Sequence, residues 1–171
     1  QRYPIILMEE EREVIIYTDG GASGNPGKGG YGAILMYGRH KKELSGAFRV
    51  TTNNRMELLA VITSLEAITK PDQLVCIVSD SKYVVDAVQK GWVFNWERVK
   101  FKKKKNPDLW RRFLEVYRKH RVRFVWVKGH DGNAMNERAD VLAVSAYQNG
   151  PLHIDEGYES GLASGEDDGM F

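Results

Sequence analysis

The stretch Val14-Ile15-Ile16-Tyr17-Thr18-Asp19 decides the fold, because a run of β-forming residues ends directly in an acid. Its composition is typical of a buried strand. A second apolar run, residues 74–79, also ends in an aspartate, Asp80. If the connection between them is the usual right-handed crossover, the two strands lie side by side and parallel. Their carboxyl ends then meet at one edge of the sheet, where α/β sheets bind ligands.

The remaining periodic segments surround these two strands. Residues 31–37 and 43–50 predict two more strands, which make a three-strand meander with the first, and residues 122–127 predict the last strand. Apolar residues at helical spacing predict helices over residues 54–68 and 83–88, after Asn106-Pro107, and around residues 139–146. Asn106 is expected to cap its helix. The order predicts an α/β fold: a five-stranded mixed sheet, meander first and then alternating helices and strands, with helices on both faces.

Length and composition indicate one globular domain. The chain has 171 residues, of which 42% are hydrophobic, and a single cysteine excludes both a disulfide framework and a Cys-ligated zinc site. We expect a cytoplasmic protein, because no apolar stretch reaches the roughly 20 residues that span a bilayer and no signal-peptide pattern is present. We expect residues 1–13 to be an N-terminal extension, residues 14–149 to be the folded domain and residues 150–171 to be a disordered acidic tail.

The formal net charge of +2 conceals an uneven distribution. All 25 Lys and Arg residues precede Gly150 and six of the 23 acidic residues follow it, so residues 1–149 carry a net charge of +8. Residues 98–128 contain thirteen basic side chains and two acidic ones. This concentration of positive charge favours a polyanionic partner. The acidic tail, which has no Lys or Arg, is expected to be peripheral.

Residues 20–32 contain seven glycines, which suggests a phosphate-binding loop. The P-loop pattern fails, because Lys28 is followed by glycine and lacks a glycine six residues before it. The G-x-G-x-x-G match at residues 27–32 runs into a predicted strand instead of a helix, so dinucleotide binding is also disfavoured. We expect a glycine-rich turn beside Asp19.

Four acids, Asp19, Glu57, Asp80 and Asp140, are the candidate metal ligands. Each has an ordinary explanation alone: a turn at a strand end for Asp19 and Asp80, a helix N-terminus for Glu57 and a surface acid for Asp140. Four acids near one edge of a basic domain would repel one another and a polyanion unless cations lay between them. Mg²⁺ fits this need because it prefers oxygen ligands and binds substrate phosphate.

Short motifs along the chain match those of one known family. The matching segments are Tyr17-Thr18-Asp19-Gly20-Gly21, Gly24-Asn25-Pro26-Gly27, Gly30-Tyr31-Gly32, Thr51 through Leu58, Ser79-Asp80-Ser81, Gly91-Trp92, Asn95-Trp96, Asp108-Leu109-Trp110, Val127-Lys128-Gly129-His130 and Asn136 through Asp140. On these segments the chain resembles bacterial-type ribonuclease H type 1 across roughly residues 14–148.

This resemblance implies a ribonuclease H-like fold and cleavage of the RNA strand of RNA–DNA hybrids, such as replication primers, to 5′-phosphate and 3′-hydroxyl ends. It implies that the four acids hold two Mg²⁺ ions, with Mn²⁺ as an alternative, and that His130 assists proton transfer or product release. Asn25, Asn53 and Asn54 resemble the residues that contact the 2′-hydroxyls of the RNA strand. Thr52 and Asn106 resemble a pocket for a DNA-strand phosphate.

Residues 91–105 resemble the basic protrusion of the family, which we name by that term below. Trp92 and Trp96 are interleaved with its cations, and both are expected on the DNA strand; the cations are Arg98, Lys100, Lys102, Lys103, Lys104 and Lys105. Two residues depart from the family pattern: Lys82 replaces a glutamine that some relatives use to contact RNA, and Asp131 adds a charge beside His130.

Two alternatives remain open at this stage. The chain could be a catalytically silent module that binds RNA–DNA hybrids, although all four acids are intact. It could also be another nuclease of the same superfamily, which the asparagines and the basic protrusion disfavour. We expect a monomer with no obligate protein partner.

Overall fold

One mixed sheet of five strands organises residues 12–129 and 132–165, the part of the chain that the computed structural model describes. The strands are β1 (Val14–Ser23), β2 (Gly27–Tyr37), β3 (His40–Thr51), β4 (Leu74–Ser79) and β5 (Arg121–Trp126), in the spatial order β3-β2-β1-β4-β5. The meander β1-β2-β3 is antiparallel, whereas β4 pairs in parallel with both β1 and β5. The predicted fold class and the parallel pairing of β1 with β4 are therefore confirmed.

The helices of the described residues are α1 (Asn53–Glu66), α2 (Lys82–Gln89), α3 (Trp92–Arg98), α4 (Pro107–Tyr117), α5 (Ala134–Asn149) and α6 (Glu156–Glu159), with a 3₁₀ turn at Leu162–Ser164. None of them is both long and apolar enough to cross a membrane. The main core contains apolar residues of β1 and β4 and of α1, α2 and α4. This core includes Trp110 and Phe113, both fully buried.

Helices α1 and α5 lie on opposite faces of β1 and β2. Successive strand residues point to opposite faces, and the face that carries Ile16 and Thr18 also carries Gly20, which approaches α1. Gly30 and Gly32 of β2 approach α5 instead. The sheet is thus covered on both sides next to the end of β1 where Asp19 lies.

The glycine-rich segment is mostly strand, so the prediction of a turn over residues 20–32 was wrong in extent. β1 continues to Ser23 and β2 begins at Gly27, and Gly21 and Ala22 pair with Gly30 and Gly29. A Cβ on Gly30 or Gly32 would lie 2.4 Å or 2.3 Å from a backbone oxygen of α5. These glycines therefore let a helix lie against the sheet, which the composition of the segment alone did not reveal.

The prediction of a disordered tail was also wrong for residues 150–165. His153 bridges to Phe48 of β3, and its backbone N–H and C=O bond to Ala47 and Arg49 at 3.0 Å and 2.9 Å. Helix α6 and the 3₁₀ turn follow. Residues 166–171 and residues 1–11 of the predicted extension lie outside the described part of the chain.

A buried guanidinium explains why this segment is folded. Arg55, with 1% of its side chain exposed, donates to both carboxylate oxygens of Asp155 at 2.8 Å and to Asp108 at 2.9 Å and 2.7 Å. Thr51 also donates to Asp155, at 2.8 Å. A charge this deeply buried needs opposite charges around it, so the C-terminal residues complete the neutralisation of Arg55. The high acid content of residues 150–171 predicted disorder, but composition does not distinguish the buried Asp155 from the other acids of the segment.

We expect Asp155→Asn to lower the free energy of unfolding by about 3 kcal/mol, because the buried guanidinium loses the more deeply buried of its two carboxylate partners. Urea denaturation measures this loss. The matched control is Glu66→Gln, which removes a half-exposed pair with Arg112 and should cost less than about 1 kcal/mol. Equal losses in the two variants would contradict a structural role for the C-terminal segment.

Candidate active site

The first two acids lie at the ends of neighbouring parallel strands. Asp19 lies opposite Gly32 in β1, and Asp80 directly follows β4. The register that pairs Tyr17 with Val78 brings the two acids to one edge of the sheet. Trp126 of β5 donates its indole N–H to the Asp80 backbone oxygen at 3.0 Å. The sheet therefore fixes the backbone on both sides of this position.

Glu57 reaches the same edge from α1, where it follows directly after the first turn. Thr52 caps this helix by accepting the backbone N–H of Arg55 at 3.3 Å. Only a glycine fits at residue 20, because a Cβ there would lie 2.4 Å from the Met56 carbonyl carbon and 2.6 Å from the Glu57 nitrogen. The close contact between β1 and α1 is what places Glu57 beside Asp19.

Asp140 enters from the other face of the sheet, on α5. Asn133 caps α5 by accepting the N–H groups of Met135 and Asn136 at 3.0 Å and 3.2 Å. The approach of α5 to Gly30 and Gly32 holds the helix close to β2. The side chain of Asp140 thereby contacts the Asp19 carboxyl group.

Three of the four predicted metal ligands form a tight cluster. One carboxylate oxygen from each of Asp19, Glu57 and Asp80 lies within 4.8 Å of the others. Asp140 is outside this group of three but borders both clefts that Asp19 and Asp80 line. None of the ion pairs between described residues involves any of the four acids.

Mutual repulsion and burial shift the titration of this cluster. Burial, the contact with Asp140 and the charge of Asp80 together raise the pKa of Asp19 to about 8. Burial and the charges of Asp19 and Asp80 raise the pKa of Glu57 well above its usual value. Ionising all these groups together is therefore costly without a counter-charge among them.

The donor set fits hard divalent cations. It offers several carboxylate oxygens and, among the described residues, no His or Cys in the cluster, which is the chemistry that Mg²⁺ prefers over Zn²⁺. The cluster lies between two clefts, one toward Lys128 and Asn136 and the other toward Asn53 and Tyr147. Asp19, Asp80 and Asp140 line both clefts.

The residues predicted for the RNA strand form a hydrogen-bonded corner next to the cluster. Asn25 accepts the backbone N–H of Asn53 at 3.0 Å, and Asn53 accepts that of Ala22 at 2.7 Å. These bonds join the turn between β1 and β2 to the start of α1. Asn53 borders the acid cleft, while Asn25 and Asn54 border a neighbouring groove.

Thr52 and Asn106, the residues predicted for a DNA-strand phosphate, line that same groove together with Lys105. Asn106 occupies the N-cap position of α4, as predicted, but its side chain makes no capping hydrogen bond. Its backbone is left-handed at φ 62°, and its side chain donates to the Tyr83 hydroxyl at 2.9 Å and accepts from Arg55 at 3.2 Å. The side-chain amide of Asn106 therefore bonds to these buried partners and not to the N–H groups at the start of α4.

The basic protrusion consists of α3 and a loop that leads to α4. Trp92 is 42% exposed with the Lys90 ammonium 5.1 Å from its ring centre, whereas Trp96 packs on Trp110 and carries Lys104 at 5.5 Å. Phe101 anchors the loop in the core. The predicted cations of the protrusion border neither acid cleft; among them, Lys105 borders the groove.

Other residues around the site were either not described or not predicted. His130 and Asp131 lie outside the described residues. The Lys82 ammonium lies 5.0 Å from the centre of the Trp126 ring, next to Asp80. Sequence reasoning missed Asn136, whose buried side-chain oxygen has no hydrogen-bond partner among the described residues and which borders the cleft. Its position four residues before Asp140, on the same helix face, was the available signal.

Comparison with known proteins gives consistent matches. The RNase H family model matches residues 11–148. A protein named Ribonuclease H from Rippkaea orientalis is 50% identical over 159 residues, which cover 90% of this chain and 97% of that protein. Among solved structures, LC9-RNase H1, a type 1 RNase H with the type 2 active-site motif, is similar at a TM-score of 0.75 and 32% identity, covering 89% of this chain and 81% of the other.

A second solved structure, LC11-RNase H1 in complex with an RNA/DNA hybrid, is similar at a TM-score of 0.60 and 29% identity, covering 79% of this chain and 96% of the other. The sequence and structure matches span the sheet and the helices that carry the acids. With a family match over most of its length and this fold, the chain belongs to the ribonuclease H family of nucleases.

Proposed function

We propose that this protein hydrolyses the RNA strand of RNA–DNA hybrids by a two-metal mechanism, leaving 5′-phosphate and 3′-hydroxyl ends. The observation that carries the proposal is the cluster of Asp19, Glu57 and Asp80, with Asp140 in contact with Asp19, at a cleft of a basic domain. The hybrid complex of LC11-RNase H1 supports the substrate class.

Asp19, Glu57, Asp80 and Asp140 would hold two Mg²⁺ ions, or Mn²⁺ in their place. When bound, the ions supply activation of the attacking water and stabilisation of the leaving oxygen. The four side chains position these groups because each comes from a different rigid element: β1, α1, the end of β4 and α5. His130, which follows Gly129 beside Asp80, would assist proton transfer or product release.

Strand discrimination would come from Asn25, Asn53 and Asn54. A ribose 2′-hydroxyl both donates and accepts hydrogen bonds, and a side-chain amide can meet both roles. The backbone bonds of Asn25 and Asn53 hold this corner in place before substrate arrives. DNA in the same position lacks the hydroxyl and loses those bonds.

The opposite strand would be held without base readout. Thr52 and Asn106 offer neutral polar groups, and Lys105 offers a cation, in one groove. Trp92, Trp96 and the cations of the basic protrusion would extend this contact along the DNA backbone. Such contacts carry little sequence information, so we expect weak sequence preference.

Incubation with a labelled RNA–DNA hybrid and Mg²⁺ should give cleavage of the RNA strand only. Asp19→Asn should lower kcat by about 10³-fold or more, because it removes one of the four carboxylates that would hold the ions. The control Glu115→Gln changes an exposed acid on α4 and should cleave normally. Binding of the hybrid without cleavage would favour a silent module, and cleavage of a DNA duplex would favour another nuclease of the superfamily.

In EDTA, Asp19→Asn should be more stable than the wild type at pH 9, by roughly 1–3 kcal/mol, and less so at pH 5. The folded pKa of Asp19, about 8, is above its unfolded value, so its contribution is favourable at low pH and is lost as pH rises through 8. Urea denaturation at both pH values measures the difference. An equal effect at pH 5 and pH 9 would contradict the repulsion that we assign to the cluster, and adding Mg²⁺ at pH 9 should stabilise the wild type more than the variant.

Hybrid affinity measured in EDTA should fall steeply with salt. Changing Lys102, Lys103, Lys104 and Lys105 to Ala should make the slope of log affinity against log salt shallower by roughly 2–3. The control changes Lys41 and Lys42, at the far end of β3, and should leave the slope unaltered. An unchanged slope in the fourfold variant would remove the basic protrusion from the binding surface.

A further inference from the structure

We propose that the C-terminal wall, residues 157–165, completes the groove for the DNA strand and that Tyr158 contacts the sugar-phosphate backbone there. This inference rests on the proposed function, because it assigns new residues to the same substrate. It also reverses the expectation that residues after Gly150 are peripheral to catalysis and binding.

The groove has two walls of different origin. One wall carries Asn25, Thr52, Asn54, Lys105 and Asn106, all five of which belong to the residues predicted to bind nucleic acid. The other is formed by the C-terminal wall, namely Tyr158, Glu159, Gly161, Ala163 and Ser164. The groove is open to solvent and has a volume of about 620 Å³, which is enough for a sugar and its phosphate. A strand that contacts Thr52 and Asn106, the residues assigned to the DNA strand, therefore faces the second wall.

The C-terminal wall packs on the end of the basic protrusion. Ala163 accepts the backbone N–H of Asn106 at 2.9 Å, and a Cβ on Gly165 would lie 2.3 Å from the Lys104 carbonyl oxygen. The loop that it contacts has four non-glycine residues with positive φ, at Lys100, Phe101, Lys103 and Asn106. Such conformations persist only where surrounding contacts hold them, and this wall supplies two of those contacts.

Asp155 holds the C-terminal wall in position. This carboxylate accepts the Tyr158 backbone N–H at 3.2 Å while it pairs with the buried Arg55. Arg55 also donates to Asn106, so the two sides of the groove share one buried cation. Tyr158 is therefore placed by the same network that places Asn106.

The electrostatics of the groove suit a phosphodiester. Glu159 is the acid among the lining residues, and Arg49 neutralises it through two bonds of 2.8 Å and 2.9 Å. Lys105 leaves the groove with a cation. Tyr158 adds a hydroxyl that can donate to a phosphate oxygen and a ring that can cover a deoxyribose. No base edge is needed for any of these contacts.

The experiment measures hybrid affinity in EDTA for the full chain and for Tyr158→Ala, Tyr158→Phe and the control Leu162→Ala. Leu162 lies in the same wall but is 66% exposed and does not line the groove. We expect Tyr158→Ala to weaken binding five- to tenfold, Tyr158→Phe to weaken it less, and Leu162→Ala to leave it unchanged. In Mg²⁺, Tyr158→Ala should raise KM with kcat within twofold of the wild type.

A methylphosphonate scan identifies the strand. Replacing the DNA-strand phosphate that occupies the groove should weaken binding of the wild type, and the same replacement should matter less in Tyr158→Ala. Equal sensitivity of the two proteins at every DNA phosphate, or coupling confined to the RNA strand, would overturn the assignment.

Weak binding by Tyr158→Ala supports the inference only if the variant is folded. Its free energy of unfolding, measured by urea denaturation, shows whether it is folded at the assay temperature. Wild-type affinity in Tyr158→Ala would overturn the inference and leave the proposed function standing. Failure of the wild type to cleave any hybrid would instead overturn the proposed function.

Discussion

Electrostatic repulsion among carboxylates is the constraint on which the rest of the structure depends. Asp19, Glu57 and Asp80 lie with oxygens within 4.8 Å of one another, and Asp140 contacts the first of them. No fold gains stability from this arrangement alone, since burial and like charge both oppose ionisation. The sheet, α1 and α5 together impose it, through contacts so close that Gly20, Gly30 and Gly32 admit no side chain.

A second buried charge, the guanidinium of Arg55, lies on the other side of α1. Arg55 lies two residues before Glu57 and gathers Asp108 and Asp155 around it. Among the described residues, the same helix therefore carries an acid of the cluster that forms no ion pair and a buried cation with two carboxylate partners. Because Arg55 also bonds to Asn106, the position of the groove and the position of the acid cluster depend on one helix.

Much of this could be predicted from sequence, for identifiable physical reasons. Two apolar strands ending in Asp19 and Asp80 predicted their convergence, since parallel neighbours bring their carboxyl ends to one edge. Local sequence patterns gave wrong predictions where contacts with distant residues determine the structure. The glycines of β2 allow α5 to pack on the sheet, which has no local signature. Asn106 is at the predicted N-cap, but its side chain bonds to Tyr83 and Arg55 and not to the helix N–H groups. The C-terminal residues were mistaken for disorder, because acid-rich composition cannot show that Asp155 has a buried partner 100 residues away.

We infer that the acid cluster binds divalent cations, which neutralise its charge. Counting bound Mn²⁺ by electron paramagnetic resonance, with the full chain at pH 8, tests it most directly. We predict that the wild type removes Mn²⁺ from solution and that Asp19→Asn and Glu57→Gln lose this binding, while Glu115→Gln keeps it. A wild-type spectrum that matches free Mn²⁺ with and without protein, also in the presence of hybrid, would contradict the account.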